Sequence, residues 1–169
     1  MELFFEDPIP KGTGFQLREI SRKTSIAPPS VKRYLEELEK AGLITKEKHR
    51  IQGYPIYYAN RNNDYFKLLK KVTMVQNINE SGLLDQINDK CMPDAIILFG
   101  SASKGEDLID SDLDIFIQCK EKKLDLSKYE KQLNRKINPF YAEDFNGLSK
   151  ELRNNIINGI VLKGYLKAF

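Results

Sequence analysis

The sequence predicts an α/β (α+β) protein built from two modules, and three observations support this prediction. Charge is uneven along the chain: residues 1–72 carry 14 Lys and Arg against 9 Asp and Glu, whereas residues 73–169 carry 13 against 15. Apolar residues recur at helical spacing in the first part. In the second part, two short apolar segments flank a polar loop, which is typical of buried strands. We therefore expect domains at 1–62 and 91–169, joined by a helical connector at 63–90.

Composition narrows the classes of function. An apolar fraction of 41% and a charged fraction of 30% are typical of globular proteins. No apolar run approaches the roughly 20 residues that span a bilayer, and "MELFFEDPIP" lacks the features of a signal peptide, so we expect a cytoplasmic protein without a membrane partner. Cys91 and Cys119 have no CxxC spacing and His49 is the only histidine, which disfavours zinc sites and His-based triads.

The first module begins with two helices. Leu17 and Ile20 keep helical spacing before the chain breaks at "TSIAPPS". Pro28 and Pro29 fit only the first turn of a second helix, and Gly42 fits the left-handed position just past its end. Three apolar residues of this second helix fall on one stripe: Val31, Leu35 and Leu38. Two helices with a short break predict a helix-turn-helix.

A basic hairpin follows directly. "LITKEKHR" and "YPIYYANR" are strand-like and flank "IQG". Together, residues 13–61 resemble the winged-helix family of DNA-binding domains, although "MELFFED" leaves little room for a full first helix. The resemblance implies a double-stranded DNA partner, with the second helix in the major groove.

The resemblance also assigns residues to the DNA contact. Ser30, Lys32 and Arg33 would face base edges. Four hairpin residues would meet phosphates, which adds affinity without sequence information: Lys46, Lys48, His49 and Arg50. Alternatively, these basic residues form a solvated face and the module mediates homodimerisation. The connector leaves a similar alternative open, because its stripe of Phe66, Leu69, Val72 and Ile78 suits either a bridge or a dimer seam.

Two aspartates stand at the head of an apolar run in the second module. "AIILFG" predicts a buried strand that enters a tight turn, and "SDLDIFIQ" predicts a second strand. Side chains alternate along a strand, so Asp112 and Asp114 lie on one face. Adjacent carboxylates repel each other and stay ionised at low cost only with a cation between them. Oxygen ligands select Mg²⁺ or Mn²⁺.

The turn that precedes the aspartates suits phosphate binding. Without a Cβ at Gly100 the backbone can approach a triphosphate, and the Ser101 N–H and hydroxyl can donate to its oxygens. Lys104 adds a positive charge. These residues suit in-line attack on the α-phosphate of a nucleoside triphosphate, with metal ions stabilising the attacking and leaving oxygens.

"LFGSASKGEDLIDSDLDIFI" resembles the signature of the polymerase-β-like nucleotidyltransferases, above all their minimal branch. That signature is a strand, Gly-Ser, about ten residues, then Asp-x-Asp; the resemblance covers residues 92–162. It implies a small mixed sheet with helices on one side, and catalytic, metal-binding roles for Asp112 and Asp114. "INPFYA" reads as a third strand, and "EDFNGLSKELRNNIINGIVL" as a closing helix.

One departure bears on catalysis. The family places a third carboxylate on the third strand, where this chain has Asn138, whose amide cannot take a proton. Glu143 or Asp144 could substitute, or could simply begin the last helix.

Three hypotheses of function remain open. The first is an ATP-dependent enzyme that transfers AMP to a protein or other acceptor, as an antitoxin acting on a HEPN-type partner. The second is a transcription regulator that binds nucleotide without catalysis. The third is a structural adaptor.

Overall fold

The computed structural model describes residues 1–10 and 14–168, and these group into two units that divide between Leu68 and Leu69. Residues 11–13 and 169, which fall within the predicted domains, lie outside the described part. Helix α4 (Asp64–Ser81) runs across this division, and α5 (Leu83–Cys91) follows it. Helix α4 lies within the segment predicted as a connector, 63–90, and α5 ends one residue beyond it.

Among its described residues, the first unit contains three helices before α4 and one small sheet. Its elements are α1 (Glu2–Glu6), β1 (Phe15–Gln16), α2 (Leu17–Thr24), α3 (Pro28–Lys40), β2 (Ile44–Lys48) and β3 (Pro55–Ala59). The strand order is β1-β3-β2, and both pairs are antiparallel. The predicted hairpin is therefore present. The two-residue strand β1 was not predicted, because so short a segment has no detectable periodicity.

Local signals set the helix ends of the first unit. A capping box between Gln16 and Glu19 begins α2. Pro28 opens α3, where a missing N–H group costs nothing, and Gly42 follows its end at φ 70°. The short α1 contributes Phe4, which packs edge-on against Phe15 at 5.5 Å between ring centroids. A five-residue first helix thus still supplies buried aromatic surface.

The second unit is built on a four-stranded mixed sheet. After α4 and α5 come β4 (Ala95–Phe99), α6 (Gly100–Lys104), β5 (Leu113–Ile117), α7 (Ser127–Leu133), β6 (Ile137–Tyr141), a 3₁₀ turn (Phe145–Gly147), α8 (Lys150–Ile157) and β7 (Ile160–Gly164). The strand order is β6-β5-β4-β7. Strands β5 and β6 are parallel, and the other pairs are antiparallel. The prediction of a small mixed sheet is confirmed.

The expectation of one long closing helix was wrong. Helix α8 ends at Ile157, and β7 then pairs with the edge of β4. Gly159 makes this possible, because a Cβ there would collide with Ile97 Cγ2 at 2.8 Å. The apolar stretch "GIVL" suits a helix or a strand equally well. This segment forms a strand because the backbone N–H and C=O groups along the edge of β4 need hydrogen-bond partners. Strand β4 lies about sixty residues earlier in the chain.

Helices cover both faces of this sheet, so the expectation of helices on one side was also wrong. One face buries Leu98, Leu113 and Ile115 against residues of α4, α5 and α7. The other buries Ile97, Phe99 and Phe116 with Phe145 of the 3₁₀ turn and Ile156 of α8. Strand β4 is buried at all five positions, and a strand buried on both sides requires a layer on each face.

No helix in the described part of the chain combines the length and apolar character needed to cross a bilayer.

Candidate functional site

The glycine–serine turn and the aspartate pair lie side by side. Strands β4 and β5 are antiparallel neighbours with Phe99 opposite Asp114, so the end of β4 meets the start of β5. Gly100 follows at φ 74°, and a Cβ built on it would overlap Asp114 Oδ2. Only glycine combines this backbone conformation with so close an approach to the carboxylate.

The two aspartates differ in environment. Asp112 is exposed just before β5, whereas Asp114 lies within the strand and is half-buried. The neighbouring residues Leu113 and Ile115 point into the core on the opposite face. Burial raises the pKa of Asp114, the hydrogen bond from Asn138 lowers it, and the charge of Asp112 raises it again. Because ionisation of Asp114 is disfavoured in the metal-free protein, a cation at this position would relieve both burial and repulsion.

Asn138 occupies the place where the family resemblance predicts a third carboxylate. It stands directly opposite Asp114 in the parallel β5–β6 pair. Its Nδ2 donates to Asp114 Oδ1 at 3.1 Å. Within the described residues, no group of three or more His, Cys, Asp or Glu side chains is arranged to hold a metal.

The alternative carboxylates lie elsewhere. Strands β5 and β6 are parallel, so Glu143 and Asp144, which follow β6, belong to the end of the sheet away from Asp114. Burial raises the pKa of Cys119, beyond the far end of β5, to about 11, with contributions from Cys91 and a smaller one from the charge of Glu143, so Glu143 lies near that end of the strand. Asp144 Oδ1 accepts from the Asn146 N–H at 2.9 Å and caps the 3₁₀ turn. Neither carboxylate joins Asp112 and Asp114.

The remaining predicted nucleotide contacts lie on the single turn of α6. Ser101 is partly exposed and Lys104 is exposed. The turn is fixed from within, because Ser103 Oγ donates to the Gly100 carbonyl at 2.8 Å and the Glu106 N–H donates to the Ser101 carbonyl at 3.0 Å. Both residues are thus held on the turn that directly follows β4.

A cleft of about 590 Å³ opens beside Asp112. Besides the loop that carries this aspartate, its lining includes Ser127, Lys131, Asn134 and Lys136. Its volume lies in the range of small-molecule sites. Of the predicted nucleotide and metal contacts only Asp112 lines this cleft, whereas Asp114 and the Gly100–Ser101 turn do not, and two lysines lie within reach of a ligand bound there, Lys131 and Lys136.

The predicted DNA contacts lie on the surface of the first unit. Lys32 and Arg33 are exposed on α3 and approach Glu36 and Glu37 at 4.0 and 3.9 Å. Ser30 is partly exposed in the first turn of α3, and Lys46 and Lys48 are exposed on β2. Exposed pairs of this kind are weak, so Lys32 and Arg33 remain available to a phosphate or base.

The hairpin turn holds the other two predicted contacts. Arg50 is exposed in this turn. His49 has a structural position, because its Nδ1 accepts from the Ile51 and Gln52 N–H groups. Its ring also stacks on Tyr54 at 4.6 Å.

One group of residues near the site was missed by sequence reasoning. Asp107, in "GEDLID", reads as one of several solvated charges, yet it is 1% exposed. It lies beside Lys70 and Arg135, which are 37 and 28 positions away in the chain. No periodicity or motif connects residues at such separations.

Comparisons with known families identify both modules. Residues 82–165 match the family described as polymerase beta, nucleotidyltransferase, and this match includes both aspartates, Asn138 and all four strands of the larger sheet. Residues 16–45 match the family described as winged helix-turn-helix DNA-binding, which includes α2 and α3. Neither the curated proteins nor the solved structures gave a significant match. The protein therefore contains an N-terminal winged helix-turn-helix DNA-binding domain and a C-terminal nucleotidyltransferase domain of the polymerase beta family.

Proposed function

We propose that this protein transfers AMP from ATP to an acceptor hydroxyl, on a protein or another molecule, and that it binds double-stranded DNA. One observation carries the enzymatic part: Gly100 lies against Asp114, with Asp112 exposed beside it. A backbone turn that a triphosphate can approach and a carboxylate pair that a cation can bridge are thus adjacent.

The residues present suit Mg²⁺ or Mn²⁺. Asp112 and Asp114 offer the oxygen ligands that hard divalent ions prefer, and Asp114 carries a raised pKa that a cation would offset. A bound metal ion would stabilise the developing charge on the attacking and leaving oxygens. Asn138 would orient the Asp114 carboxylate through its amide hydrogen bond.

The other contacts would bind and orient the nucleotide. Ser101 would donate its N–H and hydroxyl to phosphate oxygens, and Lys104 would supply a positive charge on the same turn. The cleft beside Asp112 offers room for the rest of the nucleotide or for the acceptor. Because an amide cannot accept the proton of an attacking hydroxyl, nucleotide binding is supported by more of these residues than turnover is.

The proposed acceptor is a partner protein of the HEPN type, with this chain as the antitoxin. Support comes from the Gly-Ser, ten-residue, Asp-x-Asp spacing, which is that of the minimal nucleotidyltransferases. In this proposal the winged helix represses the operon of the pair. A HEPN-like coding sequence beside this gene would agree with it.

The test is incubation of the purified protein with labelled ATP, with and without host lysate, in Mg²⁺ or in EDTA. We expect a labelled acceptor that requires Mg²⁺ and disappears in Asp112→Ala. The control is Asp89→Ala, an exposed aspartate on α5. The enzymatic proposal is wrong if nothing becomes labelled and Asp112→Ala binds ATP as well as the wild type does.

A second candidate is a DNA-binding regulator that senses nucleotide without turnover. Asn138 favours it, because the site then holds a metal–nucleotide complex but has an amide at the third-carboxylate position. ATP with Mg²⁺ would change the affinity for DNA while no AMP is transferred. Gel-shift titrations with and without ATP distinguish this candidate from the enzyme.

A further inference from the structure

Three charged side chains are buried together in the second unit. Lys70 of α4 is 3% exposed, Asp107 is 1% exposed and Arg135 is 7% exposed. Lys70 Nζ lies 3.2 Å from Asp107 Oδ1, and Arg135 Nη2 lies 3.7 Å from Asp107 Oδ2. Lys70 Nζ also donates to the backbone carbonyl of Asp107. Neither carboxylate oxygen of Asp107 accepts a hydrogen bond from a described residue, so its side chain is held by the two positive charges and its main chain by the hydrogen bond to its carbonyl.

Asp107 belongs to the loop that joins the two halves of the proposed site. It follows Gly105, which caps the end of α6, by two residues and precedes Asp112 by five. Hydrogen bonds fix this loop on either side of it. The Glu106 N–H donates to the Ser101 carbonyl at 3.0 Å, and the Leu108 N–H donates to Ser111 Oγ at 2.8 Å. Along the chain, Asp107 thus lies between a residue that is hydrogen-bonded to Ser101 and a residue that is hydrogen-bonded to Ser111, the neighbour of Asp112.

Arg135 connects the same cluster to the start of β5. The residue after it, Lys136, accepts the Leu113 N–H on its carbonyl at 2.8 Å. Leu113 is the residue between the two aspartates. The Arg135 N–H donates to the Glu130 carbonyl at 3.1 Å, which anchors this segment to α7. The cluster therefore links α4, the loop and the backbone of the aspartate pair.

Buried ion pairs are weak sources of stability, since the loss of hydration offsets most of their attraction, but they can select one conformation. A surface loop that only connects a helix to a strand does not need a buried carboxylate. A nucleotide site, in contrast, requires its phosphate-binding and metal-binding groups at a fixed separation, because displacements of about 1 Å strongly reduce activity.

We propose that Asp107 is a positioning residue: clamped by Lys70 and Arg135, it holds the loop so that Ser101 and Asp112 keep the geometry that a metal–triphosphate requires. The expected effect of this clamp on the binding of ATP with Mg²⁺ rests on the proposed function. The clamp itself is a property of the apo protein, and hydrogen exchange measures it without nucleotide.

The experiment compares Asp107→Asn and Lys70→Met with the matched controls Asp89→Asn and Lys71→Met in the full chain. Amide hydrogen exchange of Leu108 and Ser111 should accelerate about tenfold or more in the first pair and not in the controls. The dissociation constant of ATP with Mg²⁺ should rise about tenfold in the first pair. Lys70→Arg, which keeps the charge, should retain more of the loop protection and of the ATP affinity than Lys70→Met does.

The outcomes separate the two proposals. A wild type that binds no ATP, together with faster loop exchange in Asp107→Asn, overturns the proposed function and supports the clamp. Loop exchange and ATP affinity unchanged in both folded variants overturn the clamp. If neither variant folds, hydrogen exchange of the wild type provides the test. The Leu108 and Ser111 amides of the wild type should exchange as slowly as the amides of β5. Exchange of these two amides as fast as that of the loop at 120–126 overturns the clamp.

Discussion

Asn138 donates a hydrogen bond to Asp114 across the parallel strands β5 and β6, from Nδ2 to Oδ1 at 3.1 Å. The residue at position 138 therefore decides whether a second carboxylate or a neutral donor faces Asp114. With an amide, Asp114 keeps a partner that favours its ionised form. A carboxylate in the same place would repel Asp114 unless a cation lay between them.

In Asn138→Asp, the hydrogen bond between the amide and Asp114 is replaced by a pair of carboxylates whose stability should depend on a bound metal ion. Without metal, the added charge should lower the melting temperature, because like charges at this distance oppose ionisation. Mg²⁺ should stabilise the variant more than it stabilises the wild type. AMP transfer should rise about tenfold or more, since the new carboxylate can accept the acceptor's proton. Thermal unfolding with Mg²⁺ or EDTA and the labelled-ATP assay measure both effects.

The control for this substitution is Asn138→Ala, which removes the amide without adding a charge. It should gain neither metal dependence nor activity. A Mg²⁺-induced shift in melting temperature no larger in Asn138→Asp than in the wild type would contradict the prediction.

The raised pKa of Asp114 predicts a specific dependence of stability on pH. Burial raises this pKa above its unfolded value, so the folded protein takes up the proton more readily. The contribution of Asp114 to stability is therefore favourable at acidic pH and is lost as pH rises through the folded pKa. Asp114→Asn, which cannot ionise, should raise the melting temperature of the metal-free protein at pH 7 by a few degrees.

This gain should shrink as the pH is lowered towards the pKa of ordinary carboxyl groups. Melting curves in EDTA across the acid range measure it, with Asp89→Asn as the exposed control. The same variant should lack the stabilisation by Mg²⁺ that we expect for the wild type. Lower stability of Asp114→Asn at pH 7 in EDTA would disprove the assignment.

Gly100→Ala and Gly82→Ala form a matched pair. Both glycines have positive φ, 74° and 79°, so each substitution should cost about 1–2 kcal/mol for the left-handed backbone. A Cβ at Gly82 meets nothing within 4 Å, whereas one at Gly100 overlaps Asp114 Oδ2. Gly100→Ala should therefore destabilise the protein further and weaken ATP binding about tenfold. Chemical denaturation and titration calorimetry test this, and equal losses in the two variants would contradict it.

The double variant Lys32→Ala/Arg33→Ala should separate DNA binding from stability. Its ion pairs are exposed, and such pairs contribute only about 0.3–0.5 kcal/mol each, so the melting temperature should hardly change. Because both residues are assigned to base edges, the affinity for double-stranded DNA in a gel-shift titration should fall by about 1–3 kcal/mol for each lost base contact, and the preference for the specific sequence should weaken. Lys40→Ala, at the last residue of the same helix, is the control and should keep both the affinity and the sequence preference. An affinity and a sequence preference unchanged in the double variant would argue against groove contact by α3.

The sequence by itself determined the features that depend on neighbouring residues. The ends of α3 follow from Pro28 and Gly42, since proline and glycine restrict or permit backbone angles locally. The aspartate pair and the Gly-Ser turn could be predicted to meet, because they lie ten residues apart at the facing ends of two apolar strands. Family resemblance added that Asn138, on the third strand, takes the position of the third carboxylate, and the structure then placed it opposite Asp114.

Three features depend on residues far apart in the chain and were determined only by the tertiary structure: the last strand, the cover of both sheet faces and the burial of one aspartate. Residues 160–164 became a strand because β4 offered an unpaired edge, and helices cover both sheet faces because β4 is buried throughout. Asp107 looks like a surface charge until Lys70 and Arg135 are brought to it. Burial and pairing are properties of the whole packed chain, so a local pattern of residues cannot specify which charge is buried or which edge is filled.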